Sequence, residues 1–291
     1  MRAAPGVEEG AGRDAGAPPR RLPARCLESG PGAASWNMAV DEALLEACRA
    51  DLASGCPPEE IPITFRVYAW SPPALSLGRS QSAGRDVRLE ALAAQEIGLC
   101  RRLTGGRAVL HDQEVTYSLT GPEALLGRSV AGTYRRVSLG LAAGLRRLGA
   151  PIELVPPGGR APASRGSCFA TASAWELAIG GRKVVGSAQC RAGGAVLQHG
   201  SVLLRSPEER LAGLLRSRRG GDGAAPGRAI GLSEALGREV GFGEVARALR
   251  AGLEETLPLA FRPEPLSPRE RARAEELAAR RYADPAWTLA R

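Results

Sequence analysis

Two glycine pairs divide SAWELAIGGRKVVGSAQCRAGGAVLQHGSVLL, residues 173–204, into apolar runs of strand length. Paired glycines accept the left-handed backbone of a tight turn, which a Cβ resists, so this stretch is committed to sheet rather than helix. A two-residue turn at Gly180-Gly181 sets Ala178 opposite Lys183 and Leu177 opposite Val184. Lys183 then shares a face with Ala178, Val185 and Ser187, away from Leu177, Ile179 and Val184. Its amine lies over small neighbours, which leaves room for something else.

Periodicity predicts the remaining elements. Residues 1–24, rich in Ala, Gly, Pro and Arg, read as a disordered leader. SWNMAVDEALLEACRA predicts a helix over 36–49 with Ser35 as N-cap, and ITFRVYAW and ALSLG predict strands separated by Pro72-Pro73. A helix over 86–96 follows. LCRRLTGGRAVLHDQEVTYSLTG then reads as strand, glycine turn, strand, polar turn, strand; Gly105-Gly106 suit either an ordinary hairpin or close backbone approach to a ligand. A helix over 129–147, a strand at IELVP and a loop, PPGGRAPASRGS, lead to Cys168. Beyond a core spanning 25–206, residues 207–291 are mostly helical, with helices over 207–217, 243–256 and 267–282 and a glycine-rich loop at 217–227.

Composition narrows the function classes. A chain of 291 residues with 44% hydrophobic content can fill a large core. It has no apolar run of about 18 residues and no secretory signal, so a cytoplasmic protein with no membrane partner is expected. The six cysteines show no C-x-x-C spacing, which argues against zinc and a disulfide framework. Only two histidines are present, His111 and His199, too few for a convincing metal site, so no metal or cofactor is expected. No G-x-S-x-G elbow announces a serine triad. A net charge of +8 suits an acidic partner, although an arginine-rich, lysine-poor composition also follows from a G+C-rich genome. With 4% aromatic residues, nucleic-acid binding by base stacking is not expected.

Two residues stand apart chemically. Cys168 lies in a polar loop near Arg165, where positive charge favours a thiolate nucleophile. Of 39 lysines and arginines, Lys183 is the only lysine. A desolvated amine can titrate and move a proton, whereas a guanidinium stays charged.

The motifs RRLTGGRAVLHD, SCFATASAWEL, GRKVVGSAQCR and LQHGSVLL, with NMAVDEALL and ALSLGRSQ before them, resemble the biotin/lipoate protein ligase superfamily, and within it octanoyltransferases of the LipM type. The resemblance runs from about Cys26 to Leu204, and weakly on through RRYADPAWTLAR. It implies an α/β fold of the α+β type, with a large mixed, mostly antiparallel sheet flanked by helices and a tunnel for a medium-length acyl chain. It also implies Cys168 as nucleophile and Lys183 directed at the acyl carbonyl. Arg102, Gly105, Gly106 and His111 are carried over as acyl-binding positions, with Gln198, His199 and Gly200. The implied reaction moves an octanoyl group from octanoyl-acyl carrier protein to a lysine of a lipoyl domain or glycine-cleavage H protein, by a monomer. Arg107 stands where ATP-dependent lipoate ligases carry a third glycine, which weighs against adenylate chemistry. Such a ligase, an amidotransferase between carrier proteins, and a non-catalytic acyl sensor are the alternatives.

Overall fold

The computed structural model describes residues 21–155, 175–216 and 228–290. The chain opens with β1 (Leu22–Gly32), the long helix α1 (Ala34–Ala53), a short 3-10 turn, β2 (Ile63–Trp70) and β3 (Ala74–Leu77). Two short helices, α2 (Ala83–Asp86) and α3 (Leu89–Ala94), precede β4 (Gly98–Arg101), β5 (Val109–His111) and β6 (Glu114–Pro122). Next come α4 (Glu123–Leu126), α5 (Val130–Arg147), β7 (Glu153–Leu154), β8 (Leu177–Ile179), β9 (Arg182–Ala192) and β10 (Ala195–Leu203). The chain continues through α6 (Glu208–Leu214), α7 (Leu232–Leu236), α8 (Phe242–Thr256), β11 (Leu259–Pro263) and α9 (Pro268–Leu277). A π-helical turn over 278–282 and α10 (Pro285–Thr288) follow.

Eight strands form the main sheet in the order β11-β1-β2-β6-β10-β9-β8-β7, and β4-β3-β5 form a small second sheet. β1 runs parallel to both β11 and β2, while every other pair in the main sheet is antiparallel. The fold is therefore the expected α/β arrangement with a mixed, mostly antiparallel sheet. Alternation along β2 shows how it is held. Phe65 and Val67 join the core with Leu141 and Leu145 of α5 and Leu249 and Leu253 of α8, while Tyr68 and Trp70 pack with Met38 and Leu44 of α1 and Leu277 of α9. The sheet is thus covered on both faces.

Several boundaries differ from expectation. β1 begins at Leu22, inside the stretch read as leader, because Leu22–Cys26 is paired by β11. That partner comes from the C-terminal segment, whose strand closes the edge of the main sheet. The helix expected over 86–96 is interrupted at Val87, which bridges Leu215 while the Arg88 N–H donates to Leu214 O. In the Gly180-Gly181 hairpin Ala178 does face Lys183, with both glycines at positive φ, but Leu177 pairs with Val185. The extra residue, Val184, is a bulge that re-aims β9 beyond the turn.

Candidate active site

A narrow cleft of about 350 Å³, mouth included, lies between the main sheet and the small one. Its walls come from β2 (Tyr68, Trp70), β3 (Ser76), β5 (Val109, His111), β9 (Gly186, Ser187) and β10 (His199, Gly200), with Met38 of α1. The floor is low because β9 and β10 carry small residues where they face the cleft. A Cβ on Gly200 would lie 2.5 Å from Gly186 O and 2.8 Å from Tyr117 Cε1, so only glycine fits.

Two buried carboxylates stand behind this wall. Asp41, from the apolar-looking α1, accepts from Arg66 NH1 (2.8 Å), the Tyr68 hydroxyl (2.9 Å) and Ser118 Oγ (2.9 Å), and its Oδ2 is 2.9 Å from His199 Nδ1. Burial alone would raise its pKa, but the hydrogen bond to His199 and the Arg66 charge outweigh that and hold the carboxyl below the usual range. His199 Nε2 is 2.8 Å from Thr104 Oγ1. On the other side, Glu114 Oε1 is 2.7 Å from His111 Nδ1, and His111 Nε2 is 2.8 Å from Ser76 Oγ. Trp70 stacks on the His111 ring at 4.0 Å between centroids. Arg102 lies between the two chains, donating to Thr104 Oγ1 (3.1 Å) and Ser76 Oγ (3.2 Å) and, through NH2, to Gly105 O and Arg107 O (2.8 Å each).

Of the positions carried over by resemblance, Arg102, His111, His199 and Gly200 line the cleft. Gly105 and Gly106 do not. Gly105 is held through its carbonyl by Arg102, and Gly106 presses its carbonyl on Gly78, where a Cβ would come within 2.0 Å of it. The glycines thus serve close backbone packing between loops. Gln198 is turned to the opposite face of β10 from His199, as alternation requires, accepting from Gln189 Nε2 (3.0 Å) and donating to the Tyr117 hydroxyl (3.3 Å).

Lys183 is buried, and its Nζ donates to Glu176 Oε1 at 2.6 Å, so a carboxylate occupies the space that the hairpin register left open beside the amine. Lys183 is not among the residues that line the cleft, but Ala229, which it bridges, packs on Val109 of the wall. Cys168 lies outside the described residues. Each described cysteine is a free thiol, and each is pushed away from thiolate character. Burial raises Cys26 to about 11 and Cys48, Cys100 and Cys190 to about 12. Cys56 is raised by partial desolvation and by its acidic neighbours Glu60, Asp51 and Glu59.

Sequence reasoning missed Asp41, Glu114, Arg66 and Glu176. A charged residue inside an apolar run, as in NMAVDEALL and ITFRVYAW, was the available signal for Asp41 and Arg66. Nothing local marked Glu114.

The family model for the lipoyl protein ligase A/B catalytic domain matches residues 33–254. Curated relatives include an octanoyltransferase LipM of Kyrpidia tusciae, 42% identical over 272 residues, covering 89% of this chain and 96% of that protein. Another is the octanoyltransferase LipM of Moorella thermoacetica, 40% identical over 280 residues, covering 90% and 96%. Among solved structures, a lipoate-protein ligase A bound with ATP superposes with a TM-score of 0.76 at 23% identity, covering 92% of this chain and 99% of that one. A bipartite lipoate protein ligase from Thermoplasma acidophilum gives 0.73 at 22%, covering 92% and 96%. At these identities the structural matches speak for the fold alone.

Proposed function

The chain belongs to the lipoyl protein ligase A/B catalytic-domain family, and on that footing we propose that it is an octanoyltransferase of protein lipoylation. The observation that carries this reading is the 42% identity, over nine-tenths of the chain, to an octanoyltransferase rather than to a ligase. We assign the cleft to the acyl chain because Arg102, His111, His199 and Gly200, acyl-binding positions by resemblance, line it.

In the proposed reaction the Cys168 thiolate attacks the carbonyl carbon of octanoyl-acyl carrier protein. The bond to the phosphopantetheine sulfur breaks, and that sulfur leaves and takes up a proton. The ε-amine of a lysine on a lipoyl domain or glycine-cleavage H protein then attacks the acyl-enzyme. An amide forms, the bond to Cys168 breaks, and the amine proton returns to the sulfur. Thioester exchange is nearly neutral and amide formation is downhill, so neither ATP nor a cofactor is needed. Lys183, oriented by Glu176, is assigned to the carbonyl oxygen as charge develops there. The high thiol pKa values of Cys26, Cys48, Cys100 and Cys190 support Cys168 as the nucleophile.

Intact-mass measurement after mixing with octanoyl-acyl carrier protein, without ATP, tests the reading. One added octanoyl group, absent in Cys168→Ala, is expected. A gain that survives the substitution means another nucleophile. Product only with ATP would make the protein a ligase, and labelling only from an octanoylated protein would make it an amidotransferase.

A further inference from the structure

Ser76, Arg102, His111, Thr116, His199 and Ser201 all line the cleft, yet the acyl chain proposed for it is hydrocarbon. An alkyl group laid against such a wall strands any donor that had relied on water, which is costly. The hydrogen bonds here show how the conflict is avoided.

The direction of each proton follows from Arg102. A guanidinium only donates, so Ser76 Oγ and Thr104 Oγ1 accept from it and each retains its own proton to give. Both hydroxyls are buried, and the acceptors they meet among the described residues are His111 Nε2 and His199 Nε2, each at 2.8 Å. Nε2 is therefore the bare nitrogen of both rings, and Nδ1 carries the proton. These Nδ1–H groups donate to Glu114 Oε1 (2.7 Å) and Asp41 Oδ2 (2.9 Å). Glu114 Oε1 also accepts from Ser201 Oγ (2.9 Å) and Thr116 Oγ1, and Thr116 accepts from Trp70 Nε1 (2.7 Å). The donors of these groups thus run away from the cleft toward two carboxylates that do not line it.

We propose that Asp41 and Glu114 are specificity-determining positioning residues, which lock both histidines as Nδ1–H tautomers and so commit the polar wall inward, leaving it inert toward an unbranched alkyl chain. The identity of the ligand rests on the octanoyl reading above, whereas the proton positions do not.

Two histidines in the whole chain make the test direct. In the ¹⁵N spectrum of the full-length protein, the neutral form of each ring is expected to carry its proton on Nδ1. A proton on Nε2 of either neutral ring overturns the proposal. Glu114→Leu removes the shared acceptor, so His111 is expected to move its proton to Nε2 while His199 is unchanged. In that variant KM for the octanoyl donor should rise about tenfold, with kcat within about twofold, because donors are left unpaired in the wall. Glu114→Gln keeps an acceptor oxygen for the His111 Nδ1–H, so it should return both readouts toward wild type. An unchanged KM in Glu114→Leu overturns the proposal. Should that variant fail to fold, the spectra of wild type and Glu114→Gln still decide. A wild-type protein that transfers no octanoyl group but shows both Nδ1–H tautomers would sink the functional reading and leave the inward wall standing.

Discussion

Lys183 and Glu176 are both almost fully buried, with side-chain exposures of 3% and 4%, and their ion pair compensates charge on each side. Lys183→Met should cost about 3 kcal/mol of stability by removing a cation that faces a buried carboxylate, and Lys183→Met with Glu176→Leu should recover much of it without recovering activity. Lys183→Arg keeps the charge, but its wide, planar head cannot occupy the amine's position, and acyl transfer should fall about 100-fold or more. Urea unfolding and single-turnover acyl transfer separate the two effects. Asp41 predicts the acid limit. Its folded pKa is depressed, so its contribution to stability is complete above the unfolded value of about 4 and is lost as pH falls through the folded value. Glu270, paired with Arg25, acts in the same direction. Unfolding free energy should be flat above about pH 5 and decline below about pH 4, and Asp41→Asn should start lower and decline less. A decline that is equally steep in Asp41→Asn would remove Asp41 from the account.

At the scale of elements, β9 and β10 depend on their small residues. Gly200→Ala puts a methyl group against Gly186 O and the Tyr117 ring, on the face of β10 turned away from His199, and should destabilise by about 2 kcal/mol. Octanoyl transfer and transfer of a shorter acyl chain should fall together, and a loss confined to the longer chain would mean that the substitution reshapes the cleft. The register of β8 with β9 was legible from the glycine pair at the turn and then departed by one residue at Val184. Turn chemistry specifies only the residues next to it, and a bulge answers to what the strand must face farther on. The helix expected over 86–96 was lost for a similar reason, since pairing of Val87 with Leu215, a distant segment, overrode local propensity.

Across the whole molecule, the C-terminal segment belongs to the core and is tied to the loop after β3. β11 supplies an edge of the main sheet, and α10 closes over β4. The Arg101 guanidinium donates to the carbonyls of Trp287 (3.1 Å) and Thr288 (2.9 Å) and also to those of Gly78 (2.9 Å) and Gln81 (2.7 Å), while Trp287 Nε1 donates back to Arg101 O (3.0 Å). One buried side chain therefore ties the C-terminal segment to the loop after β3, beside Arg102. Ending the chain after Ala283 should cost about 2 kcal/mol by stripping partners from that guanidinium, and limited proteolysis should then cut first within residues 78–82 or 103–107. Cleavage confined to the new terminus would show that the clamp does not reach the site.

The sequence alone determined the sheet-rich core, the hairpin that pairs Ala178 with Lys183, the oddity of one lysine among arginines, and the motifs that resemble the family. These are local patterns, carried by spacing and residue type. Only the tertiary structure decided that β11 closes the sheet from the far end of the chain, that Glu176 faces Lys183, and that Asp41 and Glu114 stand behind the two histidines. Those contacts join residues as far apart in the chain as Leu22 and Leu259, or Asp41 and His199. A buried charge tolerates so few partners that its choice is made by packing, which short-range sequence patterns do not encode.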